Sequence, residues 1–372
     1  MQPRLISDLK TPAFLIDLPT LQRNIRAMAK RAEQSGVRLR PHIKTHKTAE
    51  IARMQAPGRD AAITVSTLSE AQFFSNAGFQ DITYACPLDP NKIPEAARLG
   101  RRIRNFNLLL DHPDTLGALE SYARVNKIRF AVFLKVDCGY HRAGVDPAKR
   151  ESYLLAEQIH NSEHLEFQGI LTHAGHSYHC RGAEAIAAVA RQERDSMVGF
   201  AEGLKKRGIP PSVVSVGSTP TAMHARSWEG VSEIRPGNYV FFDKFMADIG
   251  ACTLDDCAAT ILVSVIGHYP ERNQILVDGG ALAFSKDQGA VHIDPEVRFG
   301  AVTGYPDLEL KSLSQELGMV TCQGRLPFER FPIGSRMRIV PNHSCLAAAL
   351  FPAYQVVEAD RVVDTWIPHR GW

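Results

Sequence analysis

The chain has no apolar run approaching the length of a membrane span, and its opening Met1-Gln2-Pro3-Arg4-Leu5 carries no apolar leader core. A spanning or secreted protein is therefore not expected. An excess of one charge is missing too: 43 basic side chains face 40 acidic ones, leaving +3 over 372 residues. So even a balance excludes the electrostatic footprint of a nucleic-acid or anionic-membrane partner. The seven cysteines are odd in number and form no CxxC pair. That pattern fits reduced cytosolic thiols better than a disulfide frame. Internal repeats and low-complexity segments are also lacking. What remains, at 44% apolar and 22% charged residues, is the composition of a globular protein. Its length suits one large domain plus a smaller one.

Apolar runs of strand length alternate with amphipathic stretches of helix length through the first two thirds of the chain. The strands are expected at 37–43, 61–65, 81–85, 107–111, 129–136, 167–172, 212–216 and 233–235, with helices such as 67–77, 91–99, 148–160 and 183–207 between them. Eight strands alternating with helices predict a (β/α)8 barrel of the TIM type. Beyond residue 250 the texture changes to β, with strands expected at 259–267, 274–277, 335–340 and 354–358. The expected domains are a barrel over 12–248 and a smaller, mostly β domain over 249–372, joined by residues 1–11.

Five segments can carry chemistry. Arg40-Pro41-His42-Ile43-Lys44-Thr45-His46-Lys47 ends the first expected barrel strand, the end at which such barrels build active sites. A lysine there can form a Schiff base with an aldehyde cofactor if neighbouring cations, here Lys47, His42 and His46, lower its pKa. A solvated basic loop has the same composition. Asp137-Cys138-Gly139-Tyr140-His141-Arg142-Ala143-Gly144 follows another strand and offers Arg142 to an anionic oxygen, or is simply a helix-capping loop. Thr172-His173-Ala174-Gly175-His176-Ser177-Tyr178-His179 gathers groups suited to metal ligation, acid–base work or a substrate rim, and at least one of its histidines is expected to be structural. The turns Val216-Gly217-Ser218-Thr219 and Pro236-Gly237-Asn238 end the seventh and eighth strands, the phosphate corner of such barrels. Finally, His343 and Cys345 lie at i and i+2 in a segment read as a strand. They can share one ion there, zinc before magnesium, although a bare His-x-Cys also arises by chance.

Together these segments resemble the fold-type III pyridoxal-phosphate enzymes, and among them the D-threonine aldolase and D-serine dehydratase-like family, nearly end to end. The resemblance implies pyridoxal 5′-phosphate on Lys44, with Arg142, Tyr178, Ser218, Thr219, Gly237 and Asn238 around the cofactor. It assigns catalytic roles to Lys44, Tyr178 and His176. It implies a divalent metal on His343 and Cys345, with zinc expected and manganese or cobalt as alternatives. A homodimer with active sites near the subunit interface follows by the same likeness. His-x-Cys, where aldolase-like members carry His-x-Asp, favours dehydration of a D-β-hydroxy amino acid to a 2-oxo acid and ammonia. Retro-aldol cleavage and racemisation remain open, as does a non-enzymatic cofactor carrier. One departure is Leu317, which stands where the family has a histidine.

Overall fold

The computed structural model describes residues 4–58 and 61–372, so residues 1–3 of the opening segment lie outside the described residues. Two compact units emerge: residues 28–237 with 369–372, and residues 1–27 with 238–368. The helix Leu18–Gln34 runs across the division.

Chain order gives β1 (Ala13–Asp17), then β2 (Arg38–Leu39), β3 (Ala62–Val65), β4 (Asp81–Pro87), β5 (Asn105–Leu110), β6 (Phe130–Lys135), β7 (Leu165–Leu171), β8 (Val213–Val216) and β9 (Glu233–Ile234). β2 to β9 form one parallel eight-stranded sheet in the order 2-9-8-7-6-5-4-3. A bridge between His42 and Thr64 joins its two end strands, closing the barrel. Several of these strands carry apolar runs, such as Phe130 to Leu134 and Leu108 to Leu110, because a parallel sheet is covered on both faces. Leu109, Phe133 and Leu171, each at most 2% exposed, fill one layer of the interior. Helix breaks follow local chemistry: Thr67 caps Leu68–Asn76 by accepting the Glu70 N–H, and Asp89 caps the turn that precedes Ile93–Gly100. The C-terminal residues belong to this unit, with the His369 ring stacked on Phe73 and bonded to the Ser69 hydroxyl at 2.7 Å.

The other unit is a nine-stranded, mainly antiparallel sheet. It adds β10 (Ala259–Tyr269), β11 (Gln274–Val277), β12 (Gly300–Val302), β13 (Leu308–Leu313), β14 (Gly318–Cys322), β15 (Arg336–Pro341), β16 (Tyr354–Glu358) and β17 (Arg361–Trp366). The order is 11-14-13-12-15-10-1-16-17. β1 thus sits inside this sheet, antiparallel to β10 and parallel to β16. Phe14, Leu15 and Ile16 are fully buried there, and the Phe14 ring packs against Tyr354 and Phe241 at 4.8 and 5.8 Å. This burial is why residues 12–17, expected at the start of the barrel, cluster with the β unit.

Candidate active site

Lys44 lies on the one-turn helix Ile43–Thr45 that follows β2, with Ile43 and Thr45 buried and the lysine exposed. The cationic neighbours expected from His42 and His46 are not there. Burial, reinforced by the charge of Lys44 and Arg235, holds His42 well below its ordinary pKa and therefore neutral. His46 is packed, with one ring nitrogen 2.9 Å from Gln55 Oε1 and the other accepting the Thr48 N–H, and burial drives it down to about 3. Lys47 is tied to the buried carboxylate of Glu70 at 2.9 Å.

The positive charge comes from residues the sequence reading passed over. Lys135, the last residue of β6, is 5% exposed. Burial, helped by Arg235 and Arg142, pushes its amine down to about 8. Its signal was there: a single cation ending the apolar run Phe130 to Leu134. Arg235, also fully buried, donates to the Ser215 hydroxyl and the Thr172 carbonyl. Ser215 in turn donates to Glu233 at 2.6 Å, and Glu233 and Asp81 share the guanidinium of Arg40 at 2.6 and 2.5 Å. This buried chain of alternating charge satisfies Arg235 inside the barrel.

A buried ammonium costs stability, and the sign is set by the lowered pKa. The cost is fully present below pH 8 and is relieved as pH rises through 8 toward the ordinary lysine range. Lys135→Met is therefore expected to stabilise the cofactor-free protein at pH 7 by about 3 kcal/mol. In denaturant titrations from pH 6 to 10 that gain should shrink above pH 8. A gain independent of pH would contradict this assignment.

Arg142 lies 5.0 Å from the Tyr140 ring centroid, in a loop folded around Asp137, which accepts the Gly139 and His141 N–H groups. Tyr140 packs flat on Gly175, where any side chain would collide with its ring. The same ring stacks with His176 at 6.3 Å, so the Arg142 and His176 loops meet through one tyrosine. His176 is half-buried, and burial lowers its pKa. His173 Nδ1 lies 3.1 Å from the Gly217 carbonyl, and burial beside Lys44 keeps the ring neutral. Tyr178 lies on the turn Gly175–His179, its ring 6.2 Å from His173. His179 is exposed.

Ser218 caps the short helix Thr219–His224. Its hydroxyl accepts the Thr221 N–H and pairs with Ser177 Oγ at 2.8 Å, so it is already engaged. Thr219 Oγ1 is buried and has no hydrogen-bond partner among the described residues. At Gly237 a Cβ would come within 2.8 Å of the His42 carbonyl, leaving a backbone that only glycine allows. Asn238, the first residue of the other unit, spends its side-chain donors on Asp243 and Ser344, each at 2.9 Å.

In the β unit His343 and Cys345 are not strand residues at i and i+2. β15 ends at Pro341, His343 sits at the N-terminal boundary of the helix Ser344–Ala349 without a side-chain capping bond, and Cys345 lies in its first turn. The break is enforced by Asp243, whose buried carboxylate accepts both the Ser344 N–H at 2.9 Å and its hydroxyl at 3.1 Å. His343 Nδ1 lies 3.1 Å from Asp287 Oδ2. Burial opposes its charge, but Asp287 and Cys345 outweigh burial and lift the imidazole to about 11. Asn238 Nδ2 approaches Cys345 Sγ at 3.7 Å. Among the described residues no three His, Cys, Asp or Glu side chains converge as a metal-binding group.

Against known proteins, residues 16–244 match the alanine racemase N-terminal domain model and residues 258–357 the putative serine dehydratase domain model. The chain belongs to the alanine racemase N-terminal domain family. It is 40% identical to D-serine dehydratase of Dictyostelium discoideum over 99% of this chain and 98% of the relative. It is also 40% identical to D-threo-3-hydroxyaspartate dehydratase of Delftia sp., over the full length of both. The solved structure of the latter matches with a TM-score of 0.94 at 40% identity, covering 99% of this chain and 100% of the other. The metal-free form of a cysteine-to-alanine variant of that dehydratase matches at 0.95, with 39% identity over 99% and 100% of the two chains.

This family implies pyridoxal phosphate, and the barrel unit fits it on its own evidence. An accessible amine stands at Lys44, an unpartnered buried hydroxyl at Thr219 and a side-chain-free approach at Gly237. In the β unit, imidazole and thiol are the donors that a zinc-like ion takes. No helix among the described residues is long and apolar enough to cross a membrane.

Proposed function

We propose that this chain is a pyridoxal-phosphate- and divalent-metal-dependent lyase that dehydrates D-serine or D-threo-3-hydroxyaspartate to a 2-oxo acid and ammonia. The observation that carries the reading is the full-length, 40% identity to two dehydratases with those substrates, met by an accessible Lys44 after β2.

Lys44 is the residue that would hold the cofactor aldehyde, and its amine would take the proton of the substrate Cα. The Thr219 hydroxyl, with the backbone of the Ser218 and Gly237 turns, would hold the phosphate. Arg142, held over Tyr140, would supply a cation to the cofactor's ring oxygen. His42 and His173, neutral at working pH, line the lysine without adding charge. His176 and Tyr178 serve the reacting atoms, and the lowered pKa of His176 supports a role as base. His343 and Cys345 would hold the metal, zinc by preference, while Asp287 fixes the imidazole through Nδ1. Pyridoxal phosphate, when bound, supplies the electron sink for breaking a bond to Cα, and the metal supplies a Lewis acid for the departing β-hydroxyl. The metal-free form known for a cysteine variant of a relative supports the metal assignment.

On this reading residues 12–248 act as the cofactor-binding domain, and 249–372 with 1–11 carry the metal. The protein works as a cytoplasmic homodimer with its active sites near the subunit interface. Seven free thiols support the reducing compartment, and light scattering on the purified protein checks the dimer.

The function is tested with purified protein, pyridoxal phosphate and zinc on D-serine. Equimolar pyruvate and ammonia are expected, with L-serine untouched. Release of L-serine from D-serine without pyruvate would replace the reading with racemisation.

A further inference from the structure

The helix Ala183–Lys206 buries Ile186, Ala190, Met197, Phe200 and Leu204 on one face, and among them, at a core position, Glu193. A carboxylate that is fully buried on an apolar helix face is costly unless its oxygens are used. Glu193 Oε1 is used twice. It accepts the N–H of Gly217 at 2.8 Å and that of Ala174 at 3.2 Å. These donors come from two different loops at the catalytic end of the barrel, those following β8 and β7. Neither N–H continues a strand ladder, so without Glu193 both would be buried donors lacking an acceptor.

Gly217 is held through both of its backbone polar groups. Its N–H goes to Glu193 and its carbonyl faces His173 Nδ1 at 3.1 Å. One residue later Ser218 begins its cap, and Thr219 presents the unpartnered hydroxyl. The Ala174 end of the clamp leads into the turn that carries His176 and Tyr178, and Ser177 binds across to Ser218. Burial raises the Glu193 carboxyl, and the Gly217 N–H, the Thr221 side chain, Arg235 and the Ala174 N–H draw it back.

We propose that Glu193 is the positioning residue of the phosphate corner, an acceptor reaching in from the outer helix to fix the Gly217 turn and the His176 turn against each other. The inference rests on the cofactor reading above.

The test compares pyridoxal phosphate with pyridoxal, which lacks the phosphate, by titrating cofactor-free protein and following absorbance above the protein band. Glu193→Leu removes the acceptor at similar volume and strands two buried N–H groups. It is expected to weaken pyridoxal phosphate roughly 10- to 100-fold and pyridoxal less than about twofold by the same reasoning. Glu193→Gln keeps a carbonyl oxygen in place and should restore affinity to within about threefold. If the leucine variant does not fold, Glu193→Asp stands in, since its shorter side chain cannot reach both donors. It should bind pyridoxal phosphate at least about fivefold more weakly than Glu193→Gln does. Equal loss for both ligands, or identical behaviour of the aspartate and glutamine variants, would overturn the proposal. Wild-type protein that takes up no pyridoxal phosphate would instead overturn the cofactor reading.

Discussion

Replacing Lys44 by alanine is expected to lower kcat/KM on D-serine by about 10³- to 10⁴-fold while leaving the protein folded, with loss of the absorbance band of bound cofactor. The fold should survive because Lys44 is exposed. The buried residues beside it, Ile43 and Thr45, and the Pro41 carbonyl that accepts the Thr64 N–H keep the turn in place. The activity should not survive, because the amine does two jobs on this account, holding the aldehyde and moving the Cα proton. The buried amine of Lys135 cannot substitute: it is enclosed at the end of β6 among Arg142 and Arg235. A circular-dichroism melt separates lost chemistry from lost structure. Retention of more than a tenth of wild-type activity would remove Lys44 from the mechanism.

The second large effect concerns the metal. Cys345→Ala, His343→Ala or exhaustive chelation of the wild type should each reduce dehydration of D-serine by about 10³-fold, the loss of several kcal/mol of charge stabilisation at the leaving hydroxyl. Zinc should restore the chelated wild type and neither variant. Atomic absorption on the same samples should find one metal per chain in the wild type only. The geometry favours this outcome because His343 is already oriented: Asp287 takes Nδ1 and Asp243 anchors the adjacent Ser344. Full activity after chelation, with no metal in the protein, would leave His343 as the partner of Asp287 and Cys345 as a packed thiol.

The barrel was legible because its strands are buried on both faces and therefore appear as uninterrupted apolar runs, such as Phe130 to Leu134 and Leu108 to Leu110. In the β unit β10, β11, β15 and β16 were legible by their turns, whereas β12, β13, β14 and β17 were not expected. β1 was not, since its partners are β10 and β16, some 240 and 340 residues away, and nothing local in Ala-Phe-Leu-Ile-Asp announces them. The same distance hid the helical start at Ser344, which is set by Asp243 from another part of the chain. Candidate site residues at strand ends could be named from motif and resemblance. Their charges could not: His42 and His46 looked cationic beside three lysines and arginines, and burial makes them neutral. Glu193 and Asp287 escaped because each acquires meaning only through partners brought in by the fold.

The most direct test of the central claim is the identity of the products formed from D-threo-3-hydroxyaspartate with pyridoxal phosphate and zinc, followed by mass spectrometry. The account predicts oxaloacetate and ammonia in equal amounts, with no glycine. Glycine and glyoxylate without ammonia would contradict it and assign the same lysine and metal pair to retro-aldol cleavage.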